Sequence, residues 1–205
     1  MSSPEGQPPV IGLLGGIAAG KTAVAAMLER LGARIVSADV IAHEVLADPQ
    51  TRGRITARWG EQVVGPSGAI EHGALAERIF GDAEELAALE AITHPPILAR
   101  MREQIHAACE SGNVAAVVVD APLLLEAELD AECDALIFVD CPRDERLKRA
   151  AAERGWEADE LDRREAHQEP LDVKRDRAEY VVSTDCSPDT TFQQVKELWQ
   201  EALGL

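Results

Sequence analysis

The sequence predicts an α/β fold in which a five-stranded parallel sheet is covered by helices. Short runs rich in β-branched residues alternate along the chain with longer helical patterns, which is typical of such sheets. A glycine-rich loop, Gly15 to Thr22, stands between the first apolar run and the first helical pattern. The length of 205 residues suits one α/β domain with an appended helical part.

Five apolar runs are predicted as strands: Val10 to Leu14, Ala33 to Ser37, Val114 to Asp120, Ala135 to Asp140 and Tyr180 to Ser183. The third run is apolar throughout and ends in the carboxylate of Asp120, which is typical of a parallel strand that is buried on both faces. Asp39 lies just past the end of the second run. Because ligands of open α/β sheets bind outside the carboxyl ends of the strands, both acids are candidate site residues.

Helical patterns fill the segments between these strands. The predicted helices are Lys21 to Leu31, Val40 to Leu46, Thr51 to Trp59, Gly73 to Phe80, Ala83 to Thr93, Pro96 to Ser111, Pro142 to about Glu153, Gly155 to Gln168 and Thr191 to Leu203. Gly32 suits the left-handed residue after a helix, and Pro142 suits the first turn of one. Some sixty residues without a β signal, 51–112, exceed an ordinary crossover and predict a helical insertion.

The net charge of −17 excludes a general nucleic-acid or anionic-membrane surface, since those partners require a basic face. The segment Arg143 to Arg177 holds ten of the twenty Lys and Arg residues, so a second anion-facing element is expected there. The four cysteines form no C-x-x-C pair, which argues against zinc and favours a reducing cytoplasm. Residues 1–9 are expected to form a disordered tail, not a signal peptide, and no run is long enough to span a membrane.

The glycine-rich loop fits the pattern G-x-x-x-x-G-K-[ST] in its expected place between a strand and a helix. Its backbone N–H groups and the following helix N-terminus are suited to the phosphates of ATP. Lys21 is expected to reach the β- and γ-phosphates, and Thr22 to bind Mg²⁺ through its hydroxyl. The alternative is a glycine-rich turn with a surface lysine. The predicted ATP-binding residues are Gly15, Gly16, Ala18, Ala19, Gly20, Lys21, Thr22 and Ala23.

Asp120 is the second candidate residue of the Mg²⁺ site, as a carboxylate beyond the direct ligands of the ion, because it ends a strand next to the loop strand as a Walker-B carboxylate does. The alternative for Asp120 is a turn residue at the end of its strand.

Several short motifs together resemble the dephospho-coenzyme A kinase family. They are Gly15-Gly16-Ile17 with Gly20-Lys21-Thr22, Ala38-Asp39 with Ile41-Ala42-His43, His94-Pro95, Pro122-Leu123-Leu124 with Glu126, and Gln168-x-Pro170-Leu171 with Lys174-Arg175. The resemblance extends from about Val10 to Trp199. It implies transfer of the ATP γ-phosphate to the ribose 3′-hydroxyl of dephospho-coenzyme A, the last step of coenzyme A synthesis.

The resemblance also implies the domain organisation: a P-loop nucleoside-triphosphate-hydrolase-like core, a helical substrate-binding insertion and a helical lid. Segments 10–50, 113–145 and 178–205 would form the core, 51–112 the insertion and 146–177 the lid. The expected partners are ATP, with Mg²⁺, and dephospho-coenzyme A, without nucleic acid or membrane. The sequence leaves the oligomeric state open.

Residue roles carry over from the family where the motifs match. Lys21, Asp39 and Arg149 are the predicted catalytic residues, with the carboxylate of Asp39 facing the accepting hydroxyl. Predicted substrate-binding residues are Asp39, His43, His94, Pro122, Leu123, Glu126 and Arg164.

Each of these residues has an ordinary structural alternative. Asp39 suits a helix N-cap, His43 a solvated helix residue, His94 the end of a helix, and Glu126 the cap of a turn. In the charged segment Arg143 to Arg177, Arg146, Arg149 and Arg154 are candidates to close over the phosphates and offset charge that develops in the transfer. The alternative for these arginines is a solvated helix face with ion pairs.

The chain departs from the family pattern at Ala18, Ala23, Ser37, His72 and Thr184. Ala18 replaces a glycine and is expected to be tolerated only with a negative φ. Two other function classes remain: another small-molecule P-loop kinase acting on a nucleoside monophosphate, shikimate or a sugar acid, and a nucleotide-binding regulator without turnover.

Overall fold

The computed structural model describes residues 7–79, 81–202 and 204, and it confirms the predicted five-stranded parallel sheet. The strands are β1 Val10–Gly15, β2 Ala33–Ser37, β3 Ala116–Asp120, β4 Ala135–Asp140 and β5 Tyr180–Ser183. Their order across the sheet is β2-β3-β1-β4-β5, so the strand that leads into the glycine-rich loop is the central one.

The register of the central strands places Asp120 at the carboxyl edge of the sheet. Leu13 of β1 pairs with Asp120 of β3, and Ser37 of β2 pairs with the same Asp120. On the other side, Gly15 pairs with Val139 of β4. Because all strands are parallel, these carboxyl ends meet where the loop after β1 begins.

The helices follow the strands in the expected alternation. They are α1 Lys21–Arg30, α2 Ala38–Ala47, α3 Pro49–Trp59, α4 His72–Ile79, α5 Ala83–Ser111, α6 Arg143–Arg154, α7 Ala158–Glu165, α8 Leu171–Arg177 and α9 Pro188–Glu197, and a π-helical turn, Leu198–Ala202, ends the series. In the described part of the chain, no helix is both long and apolar enough to cross a membrane.

The chain divides into two compact units, Met1–Ser37 with Gln104–Leu205, and Ala38–Glu103. The first contains the sheet, and its core joins apolar side chains of β1, β3 and β4 to those of α1 and α9. Ile11, Leu13, Val24, Leu28 and Val118 are completely buried there.

The second unit is helical and has its own core, which is formed by Ile55, Trp59, Val63, Ile70, Leu75 and Ile92. Asp48 caps α3, because its carboxylate accepts hydrogen bonds from the backbone of Gln50 and Thr51 at 3.0 and 3.1 Å. Glu85 of α5 accepts hydrogen bonds from Arg58 and from the indole N–H of Trp59, the latter at 2.7 Å. These contacts join α3 to α5 within the unit.

The bounds of this unit differ from the predicted insertion, 51–112. The unit begins at Ala38 because α2 follows β2 directly and buries Ile41 and Val45 while packing on α3. It ends at Glu103, since the last turns of α5 belong to the first unit.

The prediction of two helices separated by His94-Pro95 is wrong. A single helix, α5, runs from Ala83 to Ser111 and contains Pro95 and Pro96. A proline inside a helix removes a hydrogen bond to the residue four positions earlier and costs about 3 kcal/mol, so the helix continues only where other contacts offset that cost. Ile92 and Met101 are buried on either side of the prolines, so packing carries the helix through them.

Two further differences concern short segments. Helix α8 has no counterpart among the predicted helices. Phe80 and Leu203, the last residues of two predicted helices, lie outside the described residues.

The predicted tail covers residues 1–9, of which 1–6 also lie outside the described residues. Pro8 is buried and the carbonyl of Pro9 accepts a hydrogen bond from Val117 at 2.9 Å. The end of the predicted tail is therefore fixed against β3 and is not disordered.

Candidate active site

The loop between β1 and α1 closes tightly around the ammonium group of Lys21. Lys21 Nζ donates to the carbonyl oxygens of Gly15 and Gly16, both at 3.0 Å. Gly20 has φ +91°, a left-handed conformation that favours glycine, and it leads directly into α1. The loop therefore has the form that the G-x-x-x-x-G-K-[ST] pattern predicts, with the ammonium at the N-terminus of a helix.

Ala18 has φ +59°, so the expectation of a negative φ at this position is wrong. The left-handed conformation costs an alanine about 1–2 kcal/mol more than it costs a glycine, because Cβ approaches the following carbonyl. Such a conformation persists only where the surroundings fix it. Within the loop, the N–H of Ala19 donates to the carbonyl of Gly16 at 3.2 Å and closes a turn that contains Ala18.

Arg149 contacts the loop after Ala18. It donates through Nη1 to the carbonyl of Ala19 at 3.4 Å and through Nη2 to the carbonyl of Thr184 at 2.6 Å. Thr184 is buried and donates its own hydroxyl to Ala19 at 2.7 Å. The predicted catalytic arginine thus lies at the loop, and Thr184, a departure from the family pattern, supports the same carbonyl.

Arg146 contacts the loop before Ala18. It donates to the carbonyl of Ile17 at 3.4 Å and to that of Cys141 at 3.2 Å, and it forms an ion pair with Glu165 of α7. A Cβ on Gly16 would lie 2.8 Å from Arg146 Nη1. In the sequence Arg146 is only one of several arginines of the charged segment. Its spacing of three residues from Arg149, on one face of α6, is the signal that could have singled it out.

Thr22 and Asp120, the two residues predicted for the metal site, are in contact. The Thr22 hydroxyl donates to Asp120 Oδ2 at 3.2 Å, and Asp120 is buried while Thr22 is exposed. A hydroxyl and a carboxylate are oxygen donors of the kind that Mg²⁺ prefers. Within the described residues no cluster of three or more His, Cys, Asp or Glu side chains could hold a metal alone. This partial donor set fits an ion that completes its shell with phosphate and water oxygens.

Glu126 joins the loop after β3 to the segment after α7. Its carboxylate accepts from the backbone of Glu169 at 2.6 Å and lies 3.4 Å from the ammonium of Lys174. Lys174 is buried and also donates to Gln168 at 3.0 Å. Pro122 and Leu123, in the same loop as Glu126, are half-buried.

Arg164, a predicted substrate residue, lies on the surface of α7. Half of its side chain is exposed. The guanidinium donates to Glu160 at 2.6 Å and lies 4.1 Å from the ring centroid of Trp156. Arg164 does not share the contacts that Arg146 and Arg149 make with the glycine-rich loop, Gly15 to Thr22, which is called the phosphate loop below.

The remaining predicted residues lie in the helical unit. Asp39 is exposed in the first turn of α2, inside the helix rather than before it, so the N-cap alternative is not supported. His43 is exposed on α2 and stacks on His72 of α4, with 6.2 Å between the ring centroids. His94 is half-buried in the middle of α5, which excludes the alternative that it ends a helix.

The chain is similar to known proteins over most of its length. The family model described as dephospho-CoA kinase matches residues 9–189. A dephospho-CoA kinase of Carboxydothermus hydrogenoformans is 34% identical over 194 residues, covering 94% of each chain. That of Syntrophotalea carbinolica is 38% identical over 190 residues, covering 92% of this chain and 90% of the relative.

A solved structure, TT1252 from Thermus thermophilus, is similar with a TM-score of 0.77 and 30% identity. The match covers 95% of this chain and 98% of that one.

Proposed function

The chain belongs to the dephospho-CoA kinase family, and from that premise we propose that it transfers the γ-phosphate of ATP to the ribose 3′-hydroxyl of dephospho-CoA, giving CoA. Membership makes it an ATP-dependent kinase. The observation that carries the proposal is the phosphate loop with the ammonium of Lys21 inside it and the Thr22–Asp120 contact beside it.

The nucleotide is assigned to the loop Gly15 to Ala23. Its backbone N–H groups and the N-terminus of α1 would bind the phosphates, because both present positive potential to an anion. Lys21, which donates to two loop carbonyls, lies within reach of the phosphate site by its position in the motif. Ala23, the third residue of α1, has no hydroxyl to bind a phosphate. The backbone N–H groups of the loop and the ammonium of Lys21 would therefore bind the nucleotide.

Mg²⁺ is proposed to bind at Thr22 and Asp120, whose hydroxyl and carboxylate oxygens fit this ion. When bound, it would offset charge on the transferring phosphoryl group. Arg149, which holds the loop at Ala19, adds a further positive charge at the same end of the sheet.

Asp39 is proposed to orient the accepting hydroxyl and take its proton as the bond to phosphorus forms. Two observations support this role. Ser37, the last residue of β2, pairs with Asp120, and Asp39 follows two residues later in the chain. Its side chain is exposed, as a group that meets a substrate must be.

The acceptor itself is assigned to residues that the family pattern provides. His43, His94, Pro122, Leu123, Glu126 and Arg164 remain proposed contacts of dephospho-CoA. We further propose that the helical unit, Ala38–Glu103, binds the acceptor and that 146–177 acts as a lid. A cytoplasmic location accords with a biosynthetic enzyme that has four thiols without disulfides among the described residues.

The deciding experiment measures ADP release with dephospho-CoA as acceptor and identifies the product as CoA by mass. Lys21→Ala serves as the blank. Asp39→Asn should lower kcat at least about 100-fold, the usual worth of a general base, while ADP binding stays within about twofold of wild type. Glu44→Gln, which removes another exposed acid of α2, is the matched control.

Near-normal turnover by Asp39→Asn would overturn the role of Asp39. Equal or faster turnover with shikimate, gluconate or a nucleoside monophosphate would overturn the assignment of the acceptor. ADP binding without phosphoryl transfer to any of these acceptors would instead identify a nucleotide-binding protein without turnover.

A further inference from the structure

Helix α6 sends two arginines to the phosphate loop, one to each side of Ala18. Arg146 donates to the carbonyl of Ile17 and Arg149 to the carbonyl of Ala19, both at 3.4 Å. Residues three apart lie on one face of a helix, so a single rigid element holds both carbonyls. The residue between them, Ala18, is the one with the strained φ of +59°.

The guanidinium of Arg146 is fixed by the protein and does not face solvent. Its side chain is 4% exposed. Nε donates to the carbonyl of Cys141 and Nη1 to the carbonyl of Ile17. Glu165 of α7 forms an ion pair with the guanidinium. The absence of a side chain at Gly16 makes room for it, because a Cβ there would lie 2.8 Å from Nη1. These contacts are those of a residue that holds the loop, not of one that binds the phosphates directly.

We propose that Arg146 is a positioning residue for nucleotide binding, which holds the left-handed turn at Ala18 through the carbonyl of Ile17 and is itself held by Glu165. The loop binds phosphate through N–H groups whose directions depend on this turn. A glycine at position 18 would adopt the turn without this cost. In this chain the hydrogen bond from Ala19 N–H to the carbonyl of Gly16, at 3.2 Å, closes the turn, and Arg146 adds a second hold at the intervening carbonyl of Ile17. The proposal rests on the nucleotide part of the proposed function and not on the identity of the acceptor.

The test measures the Kd of ADP by titration calorimetry, without an acceptor. Arg146→Gln should weaken ADP binding about tenfold. Without Arg146 the loop would relax from the left-handed conformation at Ala18, and ADP binding would then have to restore that strained conformation. In the double variant Ala18→Gly with Arg146→Gln, ADP affinity should return to within about threefold of Ala18→Gly alone, because glycine needs no hold. A merely structural role of Arg146 would not be rescued by a change at position 18.

The matched control is Arg143→Gln. Arg143 also joins α6 to α7, through an ion pair with Asp162 at 2.6 Å, but both side chains are about half exposed. ADP affinity of this variant should stay within about twofold of wild type, as is usual for exposed pairs.

Glu165→Gln removes the ion pair that holds Arg146 in place. It also provides a test of the proposal if Arg146→Gln does not fold. It should weaken ADP binding about threefold alone, and Ala18→Gly should rescue it in the same way. An equal loss with and without Ala18→Gly, or wild-type affinity in both Arg146→Gln and Glu165→Gln, would overturn the proposal. Loss of turnover with dephospho-CoA while these ADP affinities follow the expected pattern would overturn only the acceptor assignment.

Discussion

At the scale of single residues, the phosphate loop depends on close contacts that leave little room for side chains. A Cβ on Gly15 would lie 2.7 Å from the backbone oxygen of Val139, and the φ of Gly15 is +147°. Val139 belongs to β4 and is completely buried, so it cannot move away. Gly53, by contrast, lies exposed within α3, where a Cβ would meet nothing within 4 Å beyond its own helical turn.

Gly15→Ala should therefore lower the free energy of unfolding by about 2 kcal/mol or more, through the clash and the strained φ. Gly53→Ala should raise it by about 0.5–1 kcal/mol, because alanine is the better helix former. Urea denaturation of both variants beside wild type measures the two changes. A Gly15→Ala variant as stable as wild type would show that β4 yields at this contact.

A second prediction concerns Cys133, which lies against β1. Burial, and then the charges of Asp130 and Asp134, raise the pKa of its thiol to about 12. The folded protein thus keeps the thiol neutral between pH 9 and about 12, where the unfolded chain ionises. The stabilising contribution is complete below pH 9 and is lost as the pH rises towards 12.

Alkylation at pH 8 followed by mass spectrometry checks the folded-state part of this prediction. The exposed Cys186 should be modified first, and Cys133 and the buried Cys141 should react only on unfolding. Rapid labelling of Cys133 in the folded protein would contradict the raised pKa.

At the scale of elements, capped helix ends and contacts between helices stabilise the helical unit. Asp48 illustrates this in the helical unit, since it caps α3 and lies 3.4 Å from Arg100 of α5. Asp48→Ala should cost about 1–2 kcal/mol of stability, mostly from the lost cap. Asp48→Asn keeps an acceptor for the cap and removes only the charge, and it should cost less than about 0.5 kcal/mol because the pair with Arg100 is partly exposed. Thermal unfolding distinguishes the two, and equal costs would assign the effect to the ion pair.

At the scale of the whole molecule, nucleotide binding should stabilise the folded chain. A ligand that binds only the folded state at about 100 times its Kd adds about 2.7 kcal/mol. ADP with Mg²⁺ should therefore raise the melting temperature of wild type. Lys21→Ala, which loses the ammonium inside the loop, should show a clearly smaller shift at the same ADP concentration. An identical shift in both proteins would place the nucleotide elsewhere.

Local signals in the sequence predict the sheet and the glycine-rich loop and single out Thr22 and Asp120: β-branched runs, glycines at fixed spacing and an acid at the end of a strand. The contact between Thr22 and Asp120 is known from the structure alone, as are the following features. Helix α5 passes through two prolines because buried side chains on both sides hold it, and the bounds of the helical unit follow packing rather than composition.

The clearest case is Ala18. The carbonyls on either side of it accept hydrogen bonds from arginines about 130 residues away, Arg146 and Arg149, and no pattern within the loop predicts those contacts. Neighbouring residues determine a backbone angle only where local energies dominate. Here the hydrogen bond of Ala19 to Gly16 within the loop and the hydrogen bonds from a distant helix together accompany a positive φ that alanine disfavours.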